Sequence, residues 1–600
     1  MADPARILVI TFSKAAALEM KQRYFACLPP DAPHNRTLVT FGTFHAVFFQ
    51  ILRASYNLSG ENILREEERS SLITQLLTAE IQKNEGMQRN EAGQMGINGQ
   101  GMQVGQLGIL SQADLKELVI SVGNEISLVK NEQINLEYFY STSCSGELFR
   151  NVYRGYAQQL KTLGKLDFDD MLVYTCELLK EREDIRAAWQ KRFTHVLIDE
   201  FQDINALQYQ AACMLAAPQN ELYAVGDDDQ SIYRFRGAKP ELMQLFTKDY
   251  PDAKVYLLGD NFRCSGAITQ AAGKVIAENK NRFPKDIRAV SQHGEKVHIR
   301  SFSSLQNQAG YLMEQVRRLH ETGIPYVQIA VLTRTNTGGR YLAERFLEQN
   351  IPLQMKDVSR LVYDHWIAGD VFAMLRMGLG GRERKDFLRV ANRPLRYIGR
   401  DALDGGVISF ERLRRFYREK PWMIERIDKW EADLDLLGRM KPFAAVNFIR
   451  YGMEYGSWLR SCAIERDIPE EELSIVLDEL QESARPFDTV EEWFAHIRAF
   501  REEVRRQSRE GRVDNASDAV VFSTFHAAKG LEYEAVFIPD LNEDIVPHHK
   551  ARGETDLEEE RRLLYVGMTR AKKHLYLSFL TARYGRSQHP SRFLRVLLEK

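Results

Sequence analysis

Short apolar runs, each closed by a polar or glycine-rich turn and followed by a stretch of helical period, most restrict the folds open to this chain. The runs are Ile7–Phe12, His195–Asp199, Leu222–Gly226, Val255–Leu258, Val297–Phe302, Ile329–Thr333, Val520–Thr524, Ala535–Pro539 and His574–Phe579. Strands covered on both faces by crossover helices read as continuous β-branched stretches, not as an alternation. The pattern therefore predicts α/β architecture with doubly wound parallel sheets. The runs fall into two clusters, before about residue 260 and after about residue 295. A chain of 600 residues is too long for one core, and two α/β domains satisfy both facts.

Two strand-poor spans interrupt this pattern. Residues 58–150 read as a largely helical insertion, and the Gly, Gln, Asn and Met-rich stretch 84–108 within it reads as a flexible surface loop. Residues 362–512 carry helical periodicity, as in Glu471–Leu480 and Trp493–Val504, and read as a second helical insertion. The expected organisation is a first α/β domain from 1–57 and 151–262, with 58–150 inserted. A second comes from 263–361 and 513–600, with 362–512 inserted.

Composition mainly excludes. No run of 18 apolar residues predicts a membrane span, and the N-terminus lacks the charge and apolar pattern of a secretory signal. Six scattered cysteines form no C-x-x-C pair, which argues against a zinc or iron–sulfur centre and fits reduced thiols in the cytoplasm. The net charge of −2 gives no global sign of a polyanionic partner. Residues 381–420 carry 12 Lys/Arg against 6 Asp/Glu, a solvated helical face or a phosphate-facing patch.

The chemistry concentrates at two strand ends. In His195–Gln210, HVLIDEFQDINALQYQ, a buried strand stops at adjacent carboxylates, Asp199 and Glu200. Ligands of open α/β sheets bind outside the carboxyl ends of the strands. An aspartate there can hold a hydrated Mg²⁺ while the neighbouring glutamate polarises an attacking water. Many α/β strands end in acids, so this pair alone is weak. The next strand leads into AVGDDDQSIYRFRGA, Ala224–Ala238. Three adjacent acids need a cation or a basic partner. The alternation Tyr233, Arg234, Phe235, Arg236 suits stacking on exposed bases with cationic contacts to a backbone.

This cassette resembles motifs II and III of the UvrD/Rep/PcrA-type superfamily 1 DNA helicases, and the other motifs of that family follow in order. ITFSKAAALEMKQR (Ile10–Arg23) resembles motif Ia, and TFGTFHAVFFQILR (Thr40–Arg53) the next DNA-side motif. LLGDNFRCSGAI (Leu257–Ile268) resembles motif IV, and VLTRTN (Val331–Asn336) its companion. FSTFHAAKGLEYEAVFIPDL (Phe522–Leu541) resembles motif V, and EEERRLLYVGMTRAKKHLYLS (Glu558–Ser578) motif VI. The matches extend from residue 6 to about 597. Within 362–512 the match is loose and rests on ANRPLRYIG (Ala391–Gly399).

The resemblance implies two RecA-like domains and a 3′→5′ DNA helicase or translocase driven by ATP and Mg²⁺, acting on single-stranded DNA and single-strand/duplex junctions alongside repair proteins. It implies Asp199 as the Mg²⁺ ligand, Glu200 as general base and Gln230 as γ-phosphate sensor. Arg263 and Arg570 would be arginine fingers. Phe262 would stack on adenine where the family has Tyr, Glu532 would contact the ribose, and Gly530 would lie in the same nucleotide site. Phe12, Phe44, Tyr233 and Phe235 would stack with bases or shape their pockets, with Phe235 standing where the family has Trp. Arg236, Arg334, Asn336, His526 and His548 would contact the strand, although His548 reads equally well as an exposed loop histidine.

One departure bears on activity. The family carries a G-x-x-x-x-G-K-[ST] loop before motif Ia, and no such motif occurs in these 600 residues. Its amides and lysine cradle the phosphates. Because every other motif is intact, the expectation is a truncation or misplaced start, with the loop encoded upstream of Met1. The competing reading is a non-catalytic DNA-binding helicase-like subunit. A helicase–nuclease is disfavoured, because little chain follows motif VI.

Overall fold

The computed structural model describes all residues except 1–2, 30–37, 95–111, 235–236, 292–293, 336–337, 357–360, 466–469, 511–517 and 599–600. The chain divides into two units, Met1–Leu257 with Asn281–Pro284, and Leu258–Lys280 with Lys285–Lys600.

Unit 1 is built on a four-stranded parallel sheet of β1 (Ile7–Thr11), β2 (Thr40–Thr43), β3 (His195–Ile198) and β4 (Leu222–Ala224), in the order β2-β1-β3-β4. Leu8, Ile10, Val196 and Ile198 are buried against Phe48 and Ile51 of helix Phe44–Tyr56, Leu179 of Phe168–Glu181 and Leu215 of Ala206–Ala216. Each helix starts on a side-chain cap: Thr43 accepts from the Ala46 N–H, Asp167 from Asp170 and Asn205 from Gln208. The expected strand at Val255–Leu258 does not form, and Val255, Tyr256 and Leu257 are exposed. An apolar run becomes a strand only beside a partner. Among the described residues none pairs with the outer side of β4, whose Tyr223 is 57% exposed.

The unit 1 insertion is a bundle of helices Glu66–Gln94, Gln112–Asn131 and Gly146–Leu163 around Ile73, Leu77, Val122, Ile126, Val152 and Tyr156. The expected boundary at 150 thus falls inside a helix. Residues 84–94 of the expected loop continue the first helix, and 95–108 lie outside the described residues. A buried ion triad ties bundle to sheet domain. Lys130 Nζ lies 2.8 Å from Asp167 and 2.6 Å from Asp170, and the Tyr156 hydroxyl donates to Asp167 at 2.9 Å. Burial and the neighbouring Asp167 carboxylate push the Asp170 carboxyl up to about 6.

In unit 2 a two-residue ladder joins β5 (Asp260–Asn261) to β6 (Arg288–Ala289). The main sheet comprises β7 (His298–Phe302), β8 (Ile329–Thr333), β9 (Leu353–Met355), β10 (Val520–Thr524), β11 (Tyr533–Ile538) and β12 (Ala571–Leu580). All are parallel, in the order β7-β12-β11-β8-β10-β9. β8 and β10 are buried at every position, as continuous apolar runs require. β2 and β9 were not anticipated, because TFGT contains a glycine and LQM is very short.

Helices from Trp366–Gly378 to Val490–Glu510 form the second insertion and bury Phe387, Trp430 and Trp493. Part of the basic span 381–420 is tied into this bundle, while Arg400, Arg412, Arg415 and Arg418 stay exposed. Arg389 and Arg393 pair with Asp370, which also accepts from the Tyr455 hydroxyl. Arg382, Arg384 and Arg396 donate to backbone carbonyls, and Arg414 pairs with Asp428 and Glu431. These arginines form a structural network, and the exposed remainder of the patch keeps both readings open.

Candidate nucleotide and nucleic-acid sites

In unit 1 the two acidic loops leave the carboxyl ends of neighbouring strands, β3 and β4. The Asp199 N–H donates to the Ile10 carbonyl at 2.9 Å, which holds the chain at the end of β1. Glu200 adopts a left-handed backbone, φ 52°, and caps the short 3-10 turn Phe201–Asp203. Such a conformation is uncommon outside glycine and turns the chain sharply at the strand end.

Gln202, which the sequence reading passed over, joins the two loops. Its amide donates to the Glu200 carboxylate at 2.5 Å, and its carbonyl accepts the Asp227 N–H at 3.0 Å. Asp227 in turn accepts from the Gln230 amide at 2.7 Å. The approach is close enough that a Cβ on Gly226 would lie 2.6 Å from Gln202 Oε1, so only glycine fits there.

The crowded acids have the basic partner the sequence demanded. Arg282 donates to Asp229 through Nε at 3.0 Å and Nη2 at 2.6 Å, and the Phe283 N–H donates to Asp228 at 2.7 Å. Carboxylate oxygens of Asp227, Asp228 and Asp229 lie within 4.8 Å of one another. These carboxylates are an all-oxygen donor set of the kind that suits a hard divalent cation.

On the nucleic-acid side, Phe12 follows β1 and stacks on Tyr233, with centroids 5.0 Å apart and planes 14° apart. Both rings are half-buried. Of the two roles expected for Phe44, stacking on a base or shaping its pocket, burial leaves only the second. The residue is 2% exposed, packs edge-on against Phe48 and belongs to the core, so it supports the surface and cannot stack on a base. Phe235 and Arg236 lie outside the described residues.

Unit 2 gathers the other expected nucleotide residues at one end of its sheet. Phe262 follows β5 with its ring 79% exposed. Asn261 fixes the next turn by accepting the N–H groups of Arg263 and Cys264, both at 2.9 Å. Arg263 Nε donates to Glu532 at 2.8 Å, and Lys572 Nζ lies 2.8 Å from the same carboxylate. The Lys572 ammonium and the Arg263 guanidinium hold the Glu532 carboxyl below its usual range. Gly530 supplies the φ of 81° in the turn leading to Glu532.

Arg570, expected as an arginine finger, packs tightly within unit 2. It is 1% exposed and donates to the Val566 carbonyl at 2.9 Å, the Leu531 carbonyl at 3.3 Å and Thr569 Oγ1 at 3.1 Å. In unit 2 as described, its guanidinium anchors the end of helix Glu554–Met568 to the Glu532 turn.

Arg334 is also paired. It follows β8 directly and donates Nε and Nη2 to Glu560, the shortest contact being 2.6 Å. His526 follows the neighbouring strand β10, where the Phe525 N–H donates to the Thr333 carbonyl at 3.0 Å. His548 is half-buried. Burial, with help from His549 and Arg334, lowers its imidazole to about 4, so the ring is neutral near pH 7. Asn336 lies outside the described residues. No helix among the described residues is long and apolar enough to cross a membrane.

Comparison with known proteins agrees with this arrangement. Residues 1–251 match the UvrD/REP helicase N-terminal domain, and residues 256–413 and 454–582 match the UvrD-like helicase C-terminal domain. The ATP-dependent DNA helicase YjcD of Bacillus subtilis is 31% identical over all of this chain and 76% of its own length. The ATP-dependent DNA helicase PcrA of Staphylococcus epidermidis is 29% identical over all of this chain and 80% of its own. The ATP-dependent DNA helicase Rep of Buchnera aphidicola is 28% identical over 99% of this chain and 91% of its own. With two parallel sheets, acids at the strand ends of one and basic side chains at the strand ends of the other, the chain belongs to the UvrD/Rep/PcrA-type superfamily 1 DNA helicases.

Proposed function

We propose that this protein moves 3′→5′ along single-stranded DNA and opens single-strand/duplex junctions at the expense of ATP, in the service of DNA repair, replication or recombination. The observation that carries the reading is the Glu200–Gln202–Asp227–Gln230 chain, which locks two strand-end loops into one polar surface. Asp199, with its neighbouring acids, would hold Mg²⁺, which neutralises phosphate charge when bound. Glu200 is the general base, held in orientation by Gln202. Gln230, oriented by Asp227, faces the terminal phosphate. Phe262 offers its exposed ring to the base, and Glu532, fixed by Arg263 and Lys572, accepts from a ribose hydroxyl. Arg263 and Arg570 supply positive charge against the phosphates. Phe12 and Tyr233 form a stacking surface that reads no sequence, since every base has a π-face, and Phe235 keeps the base-stacking role that the family resemblance implies.

A second reading has its own support. Residues 1–600 contain no G-x-x-x-x-G-K-[ST], and phosphoryl transfer rests almost entirely on positioning. A polypeptide of these residues alone is expected to bind DNA and turn over ATP poorly, as a DNA-binding helicase-like subunit would. The test measures ATP turnover with and without oligo-dT, and unwinding of duplexes with 3′ or 5′ tails, for the chain and for Glu200→Gln. DNA-stimulated turnover lost in Glu200→Gln, with unwinding only from 3′ tails, supports the motor. Tight dT binding without turnover supports the subunit reading, and failure to bind dT sinks both.

A further inference from the structure

We propose that Glu560 is a positioning residue whose carboxylate holds the Arg334 guanidinium and the His548 loop as one body on the face of unit 2 that meets nucleic acid. The inference rests on the DNA-side reading given above for Arg334 and His548, and adds to it the residue through which both act.

Glu560 lies in helix Glu554–Met568, and its side chain is 6% exposed. A carboxylate buried to that degree must have its oxygens satisfied. Three segments of unit 2 meet in doing so. Arg334 Nε donates to Oε1 at 3.0 Å and to Oε2 at 2.9 Å, and Nη2 donates to Oε1 at 2.6 Å. The His548 backbone N–H donates to Oε2 at 2.9 Å. A charge-assisted fork of this kind fixes both distance and plane, which a single bond to a lysine would not.

The positions explain why a common acceptor matters. Arg334 is the first residue beyond β8, and the His548 loop leaves the neighbouring strand, β11. Inside the loop, the Val546 N–H donates to the Asn542 carbonyl and the Ala551 N–H to the His548 carbonyl. These bonds shape the loop but do not tie it to β8, which Glu560 does through Arg334. With its charge matched by a carboxylate, Arg334 acts as a wall of the site more than as a free phosphate clamp. Two residues beyond the end of the same helix lies Arg570, which is anchored to Val566 and Leu531. A displacement of the helix at its Arg570 end therefore carries Glu560, and with it both DNA-side groups.

The test uses the full chain and its Glu560→Gln and Glu560→Asp variants, with two readouts. Amide hydrogen exchange of a peptide spanning 543–552 reads the clamp directly, and fluorescence anisotropy with oligo-dT reads its consequence. Glu560→Gln is expected to exchange this peptide about tenfold faster and to bind dT about tenfold more weakly, with β8 and β11 peptides unchanged. Glu560→Asp, which keeps the charge on a shorter arm, should fall between. If Glu560→Gln does not fold, judged by its melting curve, Glu560→Asp against the parent decides by the same readouts. Unchanged exchange at 543–552 overturns the clamp. Faster exchange with tighter dT binding overturns the positioning role, because Glu560 would then merely compete with phosphate for Arg334. Failure of the parent chain to bind dT removes the nucleic-acid reading and, with it, the DNA side of the proposal, while the exchange result still upholds or refutes the clamp.

Discussion

At the scale of single residues, Gln202 joins the two acidic loops, since its amide reaches Glu200 and its carbonyl takes the Asp227 N–H. Asp199, Glu200, Asp227 and Gln230 announce themselves as acids and an amide at strand ends, and the structure links the last three through Gln202. Glu560 and Arg334 are 226 positions apart, so no local pattern could pair them, and only a strand contact was expected of Arg334. Phe44 starts an amphipathic helix and points into the core, which leaves it the pocket-shaping role and not the stacking one. The Phe12–Tyr233 stack is where a residue-scale prediction is sharpest. Tyr233→Ala removes one ring and leaves Phe12 without its partner, so dT affinity should fall by about 1–3 kcal/mol. Anisotropy titrations at several salt concentrations separate this from phosphate contacts, which alone would change the salt slope. An affinity equal to the parent's at each salt would exclude Tyr233 from the surface.

At the scale of elements, strands with two buried faces were the easiest to place. β8 and β10 match their predicted spans residue for residue. Val255–Leu258 shows the limit of that signal, since apolar composition states a wish for burial and not the presence of a partner. The insertion in unit 1 shows another limit. Its tie to the sheet domain is the Lys130–Asp167–Asp170 triad, formed across intervals of 37 and 40 residues. Removing the cation leaves two carboxylates buried side by side, so Lys130→Ala should cost about 3–5 kcal/mol of stability. Chemical denaturation checks this. A loss below ~1 kcal/mol would mean that water reaches the acids and that the triad is not the anchor.

At the scale of the whole molecule, sequence order conveyed the two-sheet plan and both insertions. It could not convey which charges are spent inside. The basic span 381–420 was open to a phosphate-facing role or a solvated face, and only its arginines around Asp370 and the local carbonyls turn out to be structural. The open side of β4 has a consequence of a different kind. Its backbone amides and carbonyls, with Tyr223 beside them, form a template that any extended segment can match, including one from another copy. Association through such a template is second order in protein, so residues 1–600 should scatter light increasingly as they are concentrated. Tyr223→Lys, which places a charge on the edge, should suppress the effect without changing the melting curve. Scattering indifferent to this substitution would locate the stickiness elsewhere. If the prediction holds, the handling of the protein, its shelf life and its tolerance of freezing are set by one three-residue strand.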